Sequence, residues 1–179
     1  DLKRFLINVF QPLWKKVKED SFYLWPISSR DKSLSIDKLT LSPSDFGFHN
    51  CLKSKDGSLS FLDFDYFGWD DPVKLTADFI WHPAMNLNQE LTDYWIVAML
   101  NIFSIEPEFE DRLKAAMPLY GLRWVMIVLN EFLPGFAKLR KEASESDTYD
   151  PEKSRKIQLD KAKRICNKVE AMSSPVVFA

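Results

Sequence analysis

Glycine and cysteine are both scarce in this 179-residue sequence. The five glycines stand at positions 47, 57, 68, 121 and 135, so neither G-x-G-x-x-G nor the phosphate-binding G-x-x-x-x-G-K-[ST] can occur. Any nucleotide site must therefore be built in another way. Two cysteines, Cys51 and Cys166, are too few for the disulfide framework of a small secreted domain. They favour a reducing compartment, and we expect a cytoplasmic protein.

A surplus of one charge and a long apolar run are also missing. Twenty-four Lys and Arg against 26 Asp and Glu give a formal net charge of -2, which supplies no bulk positive field for nucleic acid or an anionic membrane. The most apolar stretch, Leu119 to Phe136, is interrupted by charged residues and a proline. It falls short of the ~20 predominantly apolar residues that a membrane span needs. We therefore expect neither a nucleic-acid nor a membrane partner.

The composition that remains is that of a folded protein. Hydrophobic residues make up 46% of the chain and charged residues 28%, and no linker divides it, so residues 1–179 are predicted to form a single domain. The first residues open directly into an amphipathic pattern without an initiator Met or a signal peptide. From this we expect the chain to be the C-terminal part of something longer.

Helical patterns dominate. Apolar residues from Leu2 to Val17 recur at helical spacing, with a kink expected at Pro12. Asp71-Pro72 and Asp150-Pro151 each combine an N-cap acceptor with a proline at the first helical position, which predicts helices reaching about Trp81 and Met172. Three further helices are predicted between them, at about Gln89 to Ser104, Pro107 to Met117 and Leu119 to Leu139.

A small β element interrupts the helical pattern. Asn50 to Lys53 and Leu59 to Leu62 flank a Lys-Asp-Gly turn, in which Gly57 supplies the positive φ of a tight bend. Leu39 to Leu41 forms a further short extended run. The predicted fold class is α+β, mostly α, with a small β-hairpin.

Acidic and amide side chains lie on both sides of this hairpin. Asp45 precedes it by a loop, Asn50 stands just before the first strand, and Asp63 follows the second strand. Since a hairpin returns the chain to its starting end, Asn50 and Asp63 are expected to be neighbours in space. An amide oxygen and a carboxylate are hard ligands suited to Mg²⁺. Asp63 and Asp65 alternate along what reads as an extended segment, and a cation between the two carboxylates would explain that pair.

This order of residues resembles the aminoglycoside phosphotransferase and choline kinase group of the protein-kinase-like fold. In that group a His-Gly-Asp-x-x-x-x-Asn element is followed by an apolar residue and Asp-Phe/Trp-Glu. Here Asp45 and Asn50 have the spacing of the first element, and Leu62-Asp63-Phe64-Asp65 is similar to the second, with Asp in place of Glu. Asp78 resembles the acidic residue of a later helix in the family, which braces the catalytic loop.

The resemblance implies a kinase-like C-terminal lobe and a phosphotransferase that uses ATP and Mg²⁺ on a hydroxyl of a small molecule. It implies that Asp45 is the catalytic base, that Asn50 and Asp63 bind Mg²⁺ and through it the nucleotide, and that Asp65 assists at a second metal or through a water. Asp78 would be structural. The family's N-terminal lobe, which carries the nucleotide-covering loop and a lysine, is missing from this chain and would be its partner.

Two departures support an alternative. Pro43 stands where the family has His, and half of the nucleotide cleft is missing. The alternative is a non-catalytic kinase-like module, truncated or degenerate, that serves as a binding or dimerisation surface.

Three weaker patterns point elsewhere. The histidines and cysteines lack the spacing of a structural zinc site, and His49-x-Cys51 offers only slight support for a thiol nucleophile. Aromatic clusters at 22–25, 66–69 and 94–95 are typical of a core but are also compatible with a pocket for a cationic or sugar-like substrate. An acidic run, residues 106–111, reads as a solvated helix start.

Overall fold

The first helical segment of the chain is irregular. In the computed structural model, which describes residues 1–136 and 149–172, helix α1 (Leu2–Phe5) passes through a π-helical turn (Leu6–Phe10) into α2 (Gln11–Leu24). Pro12 has no N–H to donate to the preceding turn, and irregular turns are common next to such a residue. The disturbance expected at Pro12 is therefore present as a π turn immediately before it.

Four short strands pair into two two-stranded antiparallel sheets. β2 (Cys51–Lys53) and β3 (Leu59–Phe61) form the predicted hairpin, with Cys51 opposite Phe61 and Gly57 at a φ of 89° in the turn. β1 (Thr40–Ser42) pairs with β4 (Gly68–Asp70) to form the second sheet. In the sequence, the hairpin lies between these two strands. The extended run near Leu41 was predicted, whereas its partner strand was not.

Caps explain where the later helices begin. Helix α3 (Pro72–Trp81) starts after Asp71, whose Oδ1 accepts the Val73 N–H at 2.8 Å. Helix α4 (Gln89–Ile102) starts after Asn88, whose Oδ1 accepts the Leu91 N–H at 2.9 Å. Helix α6 (Pro151–Met172) follows Asp150, whose Oδ1 accepts two N–H groups of the first turn. The capping signals at Asp71 and Asp150 therefore predicted the starts of α3 and α6 correctly, and the start of α4 was predicted from helical periodicity.

One prediction about the helices is wrong. The two helices expected at Pro107 to Met117 and Leu119 to Leu139 are a single helix α5 (Phe109–Val128) with Pro118 inside it, followed by a 3₁₀ turn (Leu129–Phe132). A proline inside a helix costs about 3 kcal/mol. The buried residues on both sides of it, among them Met117 and Leu122, are fixed by packing that outweighs this cost. The end predicted at Leu139 lies outside the described residues.

The described chain divides into two compact units. One contains Asp1–Lys18 with the described residues from Gly121 onward, and its buried residues include Val17, Val125 and Val169. The other is Glu19–Tyr120, which has its own core around α3 and α4 and contains both sheets. The architecture is α+β and mostly α, as predicted. The single domain over 1–179 stays a prediction.

The helices were also tested for membrane-spanning character. Within residues 1–136 and 149–172, no helix combines the length and the hydropathy that crossing a bilayer requires.

Candidate functional site

The loop that carries Asp45 is anchored by aromatic packing. The ring of Phe46, the next residue, lies 4.8 Å from Phe61 of β3 and 5.6 Å from Phe79 of α3, measured between ring centroids. It also stacks at 6.4 Å on Trp95 of α4, whose indole N–H donates to the Thr76 carbonyl at 3.1 Å. Asp45 is therefore attached to a residue that three elements hold in place.

A tight turn sets the direction in which the chain reaches Asp45. Ser44 has a φ of 63°, in the left-handed region that non-glycine residues seldom adopt, and its N–H donates to the buried Ser42 hydroxyl at 3.1 Å. The Asp45 N–H donates to the Pro43 carbonyl at 2.8 Å. A backbone held in a sparsely populated region is more frequent at functional sites than elsewhere. Pro43 is therefore part of a constrained turn.

Asp45 and Asn50 are in direct contact. The Asn50 Nδ2 donates to the Asp45 backbone carbonyl at 3.0 Å and to its Oδ2 at 3.3 Å. Both bonds use the amide nitrogen, so neither occupies the amide oxygen. The structure thus brings together two of the predicted site residues and orients the amide with its oxygen directed away from Asp45.

The hairpin brings the chain at Asp63 back towards Asn50. The Leu62 N–H donates to the Asn50 carbonyl at 2.8 Å, which extends the hairpin by one pair and places Asp63 immediately beyond it. Asp63 has a φ of 61° and is exposed, as is Asp65. Within the described residues, neither carboxylate has a hydrogen bond or ion pair to Asp45 or Asn50.

The expected alternation of Asp63 and Asp65 is wrong. Residues 64–67 form a turn closed by a hydrogen bond from the Phe67 N–H to the Phe64 carbonyl at 3.0 Å. The extended conformation therefore ends at β3, and the period-two argument does not apply to these two carboxylates.

Two histidines that the sequence did not assign to the site lie beside Asp45. The Nε2 atoms of His49 and His82 are 3.1 Å and 3.7 Å from Asp45 Oδ1. The two imidazole rings are stacked, 3.9 Å apart between centroids and 5° from parallel. Their side chains are 19% and 17% exposed, against 45% for Asp45. Only the Asp45-x-x-x-His49 spacing was visible locally, because His82 comes from the far end of α3.

Hydrogen bonds determine which nitrogen of His82 carries its proton. The residue caps the end of α3, where its N–H donates to the carbonyl of the buried Asp78 at 2.9 Å. Its Nδ1 accepts the Ala84 N–H at 3.2 Å, which leaves Nε2 as the protonated nitrogen of the neutral ring. Burial and the neighbouring His49 lower the pKa of His82 to about 4, against a smaller opposing effect of Asp45. At neutral pH this residue is therefore uncharged, and its Nε2 lies 3.7 Å from Asp45 Oδ1, beyond hydrogen-bond distance.

The same three side chains place potential metal-ligand atoms within 4.8 Å of one another. A metal bound through the His82 Nε2 would need the ring proton on Nδ1, where it would displace the Ala84 N–H. An imidazole also binds a metal close to its own ring plane, and two nearly parallel planes cannot both contain one ion. The arrangement therefore fits hydrogen-bond donation to Asp45 better than metal binding.

The thiol alternative involves Cys51. His49 is directed at Asp45, while the Cys51 Sγ lies 3.8 Å from the Leu52 carbonyl, to which it donates. The other cysteine, Cys166, is buried in α6, and burial raises the pKa of its thiol to about 11. A thiol with that pKa is unreactive at neutral pH.

Comparisons of the chain with protein-family models, with curated proteins and with solved structures found no match. The assignment of function therefore depends on the residues and the geometry described above.

Proposed function

We propose that the chain is the C-terminal lobe of an aminoglycoside-phosphotransferase-like kinase, which transfers a phosphoryl group from ATP to a hydroxyl of a small molecule in the presence of Mg²⁺. Asp45 is the catalytic base, and Asn50 and Asp63 hold the metal and, through it, the nucleotide. Asp65 assists at a second metal or through a water.

The observation that carries the proposal is the contact between Asp45 and Asn50. The two bonds from the Asn50 Nδ2 hold one carboxylate oxygen of Asp45 and leave the amide oxygen available to bind a metal. One residue thus orients the base and presents a hard ligand. If Asp45 only capped a turn, Asn50 would not need to present a metal ligand as well.

The hairpin supports the assignment of Asp63. Its closing hydrogen bond, from Leu62 to Asn50, brings the third residue of the set next to the second in spite of their separation in the sequence. The positive φ of Asp63 is an uncommon conformation even for an aspartate. It changes the direction of the backbone at the point where the strand ends.

The donor set fits magnesium. Asn50, Asp63 and Asp65 offer an amide oxygen and two carboxylates, and Mg²⁺ prefers a few oxygen ligands of this kind together with waters and phosphate oxygens. Asp63 and Asp65 are exposed, and within the described residues no Lys or Arg pairs with either. When bound, the ion would neutralise charge on the transferred phosphoryl group.

Asp45 would orient the acceptor hydroxyl and take its proton. Its carboxylate is 45% exposed, so a substrate can reach it, and Asn50 fixes Oδ2. The neutral His82 and the adjacent His49 place imidazole edges at Oδ1. These contacts restrict the rotation of the carboxylate. A base that is held in position is a more effective catalyst than one that rotates freely.

An N-terminal nucleotide-binding lobe is part of the proposal. The hairpin and the segment after it expose large apolar side chains, among them Leu52 at 60%, Tyr66 at 76% and Trp69 at 60%. Contiguous exposed apolar surface is typical of an interaction site. We assign this face to the contact with that lobe.

The test uses three substitutions in the full-length protein. Asp45→Asn is expected to reduce phosphoryl transfer to a panel of hydroxyl compounds by at least about a thousandfold while Mg-ATP affinity stays within about twofold, because only the base is lost. Asp63→Asn is expected to weaken Mg-ATP binding itself by about tenfold or more, and Asp65→Asn to do so by less.

Asp56→Asn is the matched control. Asp56 is an exposed carboxylate in the hairpin turn, bonded to Ser58, and its replacement should change neither quantity. Full turnover in Asp45→Asn would overturn the catalytic assignment. Nucleotide binding that is indifferent to Mg²⁺ would favour the non-catalytic binding module.

A further inference from the structure

The first turn of α3 contacts the tight turn that leads into Asp45. Lys74, the third residue of this helix, donates through its Nζ to the Ser44 hydroxyl oxygen at 3.3 Å, although the two residues are 30 positions apart in the sequence. Ser44 immediately precedes Asp45. A cation on α3 is therefore bonded to the residue that sets the direction of the proposed base.

The position of the Lys74 ammonium is fixed by Asp70. The Asp70 Oδ2 accepts from the Lys74 Nζ, and its Oδ1 accepts the Asp71 N–H at 2.9 Å, so both carboxylate oxygens are bonded. The side chains of Lys74 and Asp70 are only 22% and 28% exposed, which limits screening of the pair by solvent. Since Asp70 ends β4 and Asp71 caps α3, the junction between strand and helix holds the ammonium in place.

The backbone of Ser44 requires support of this kind. Its φ of 63° lies in the left-handed region, which a non-glycine residue keeps only where the surrounding structure holds it there. Two hydrogen bonds of Ser44 do so. Its N–H donates to the Ser42 hydroxyl at 3.1 Å, and its own hydroxyl oxygen accepts from Lys74. The first bond lies within the turn, whereas the second ties the turn to another element.

We propose that Lys74 is a positioning residue for Asp45, held by Asp70 and acting through Ser44. Its ammonium keeps the turn in the left-handed conformation, and the turn directs the Asp45 carboxylate towards the acceptor hydroxyl. Lys74 acts through the turn and does not contact the reacting groups. This role rests on the proposed catalytic function of Asp45, whereas the hold of Lys74 on the turn can be measured without any reaction.

Amide hydrogen exchange in the ¹⁵N-labelled full chain tests the hold on the turn. Lys74→Met is expected to lower the protection of the Ser44 N–H by about tenfold or more, while protection of amides in the middle of α3 changes by less than about twofold, because only the turn opens more often. Lys114→Met is the matched control, since Lys114 also bonds an acid four residues before it, Glu110, but on α5. It should leave protection at Ser44 unchanged.

Two further variants do not depend on how Lys74→Met folds. Ser44→Ala keeps the Lys74–Asp70 pair and removes only the acceptor side chain, so it should lower protection of the amide at position 44 by a similar factor. Lys74→Arg still offers donors to both Asp70 and Ser44 and should restore most of the protection. Unchanged protection in Lys74→Met or in Ser44→Ala, in whichever of them folds, would overturn the proposal.

The consequence for catalysis is measured in the full-length protein. Lys74→Met should lower kcat for phosphoryl transfer by about tenfold or more and leave Mg-ATP affinity within about twofold, because the base is misdirected while the metal ligands are retained. Lys74→Arg should recover most of kcat. Loss of protection without loss of kcat would also overturn the role. Absence of transfer in wild type would instead count against the proposed function, and the exchange result would still decide whether Lys74 holds the turn.

Discussion

Two polar clusters of the Glu19–Tyr120 unit, one around Arg112 and one around Asp45, differ in how their charges are matched. Arg112 is 2% exposed and is held between Asp71 and Glu106. Asp45 is 45% exposed, and its side-chain partners are an amide and two imidazoles. The first cluster is balanced in charge around a buried guanidinium, while the second leaves an acid accessible beside an amide and two imidazoles.

The pKa values follow the same division. Burial by itself lowers the pKa of Arg112, but the hydrogen bonds and charges of Glu106 and Asp71 outweigh it and raise that pKa. Burial by itself raises the pKa of Glu106, and Arg112 reverses this effect. At the other cluster, burial dominates at His82 and holds it uncharged. Arg112 is therefore matched by opposite charges, whereas in the described part of the chain no lysine or arginine pairs with Asp45.

The largest expected effect is on stability at the balanced cluster. Arg112→Met should lower the free energy of unfolding by about 3–5 kcal/mol, because it leaves the largely buried Glu106 with only the more exposed Lys38 and removes the cation from Asp71. Urea titration measures it. Lys114→Met, which removes an exposed ion pair with Glu110 on the same helix, should cost at most about 0.5 kcal/mol. A similar small loss in both variants would contradict the structural role of Arg112.

The next effect concerns the packing behind the Asp45 cluster. A Cβ at Gly47 would lie 2.7 Å from the His49 ring and 2.7 Å from the Met85 Sδ, which accepts the Phe48 N–H. Gly47→Ala should therefore cost about 1–3 kcal/mol and displace His49 from Asp45. Thermal unfolding and the His49 ring signals in an NMR spectrum report the two effects.

Gly68 offers the matched control, since a Cβ there meets nothing within 4 Å. Gly68→Ala should leave both the unfolding temperature and the His49 signals nearly unchanged. If Gly47→Ala behaves in the same way, the tight approach of His49 to the Asp45 loop is not a feature of the protein in solution.

The difference between the clusters also explains what sequence patterns can predict. The Asp-Pro helix starts and the hairpin are encoded within a few residues, so that Asp71, Asp150 and Gly57 were sufficient to predict them. The Asp45–Asn50 pair was predicted from its spacing and from a family resemblance. These signals are local, and each depends on chemistry that neighbouring residues complete by themselves.

Features that depend on distant residues were missed. Pro118 is an ordinary helix-ending signal, and only the packing on both sides keeps α5 continuous. His82 lies beside Asp45 because α3 ends there, and no spacing in the sequence predicts this contact. The pairing of β1 with β4 was missed for the same reason. In each of these cases tertiary packing determined the structure, either against a local sequence pattern or in the absence of one.

A smaller effect should depend on pH. The pKa of His82 falls from 6.5 to about 4 on folding, so between these values the unfolded chain binds a proton that the folded chain does not. Stability attributable to this residue is therefore complete above pH 6.5 and decreases as the pH falls towards 4. Between pH 7.5 and pH 5, wild type should lose about 1–2 kcal/mol more than His82→Gln in urea titrations. An equal loss in both proteins would show that His82 is not held neutral.

The smallest expected change in stability belongs to the residue with the largest proposed effect on activity. Asp45→Asn should alter the free energy of unfolding by less than about 0.5 kcal/mol, because the side chain is nearly half exposed and an amide oxygen can still accept from Asn50. Glu106→Gln, the same change at the balanced cluster, should cost several times more, since it removes a buried charge from Arg112. Parallel urea titrations of the two variants measure the difference. A carboxylate that contributes little to folding and still accepts from an amide and an imidazole is what the proposed catalytic role requires, and equal losses in the two variants would count against that role.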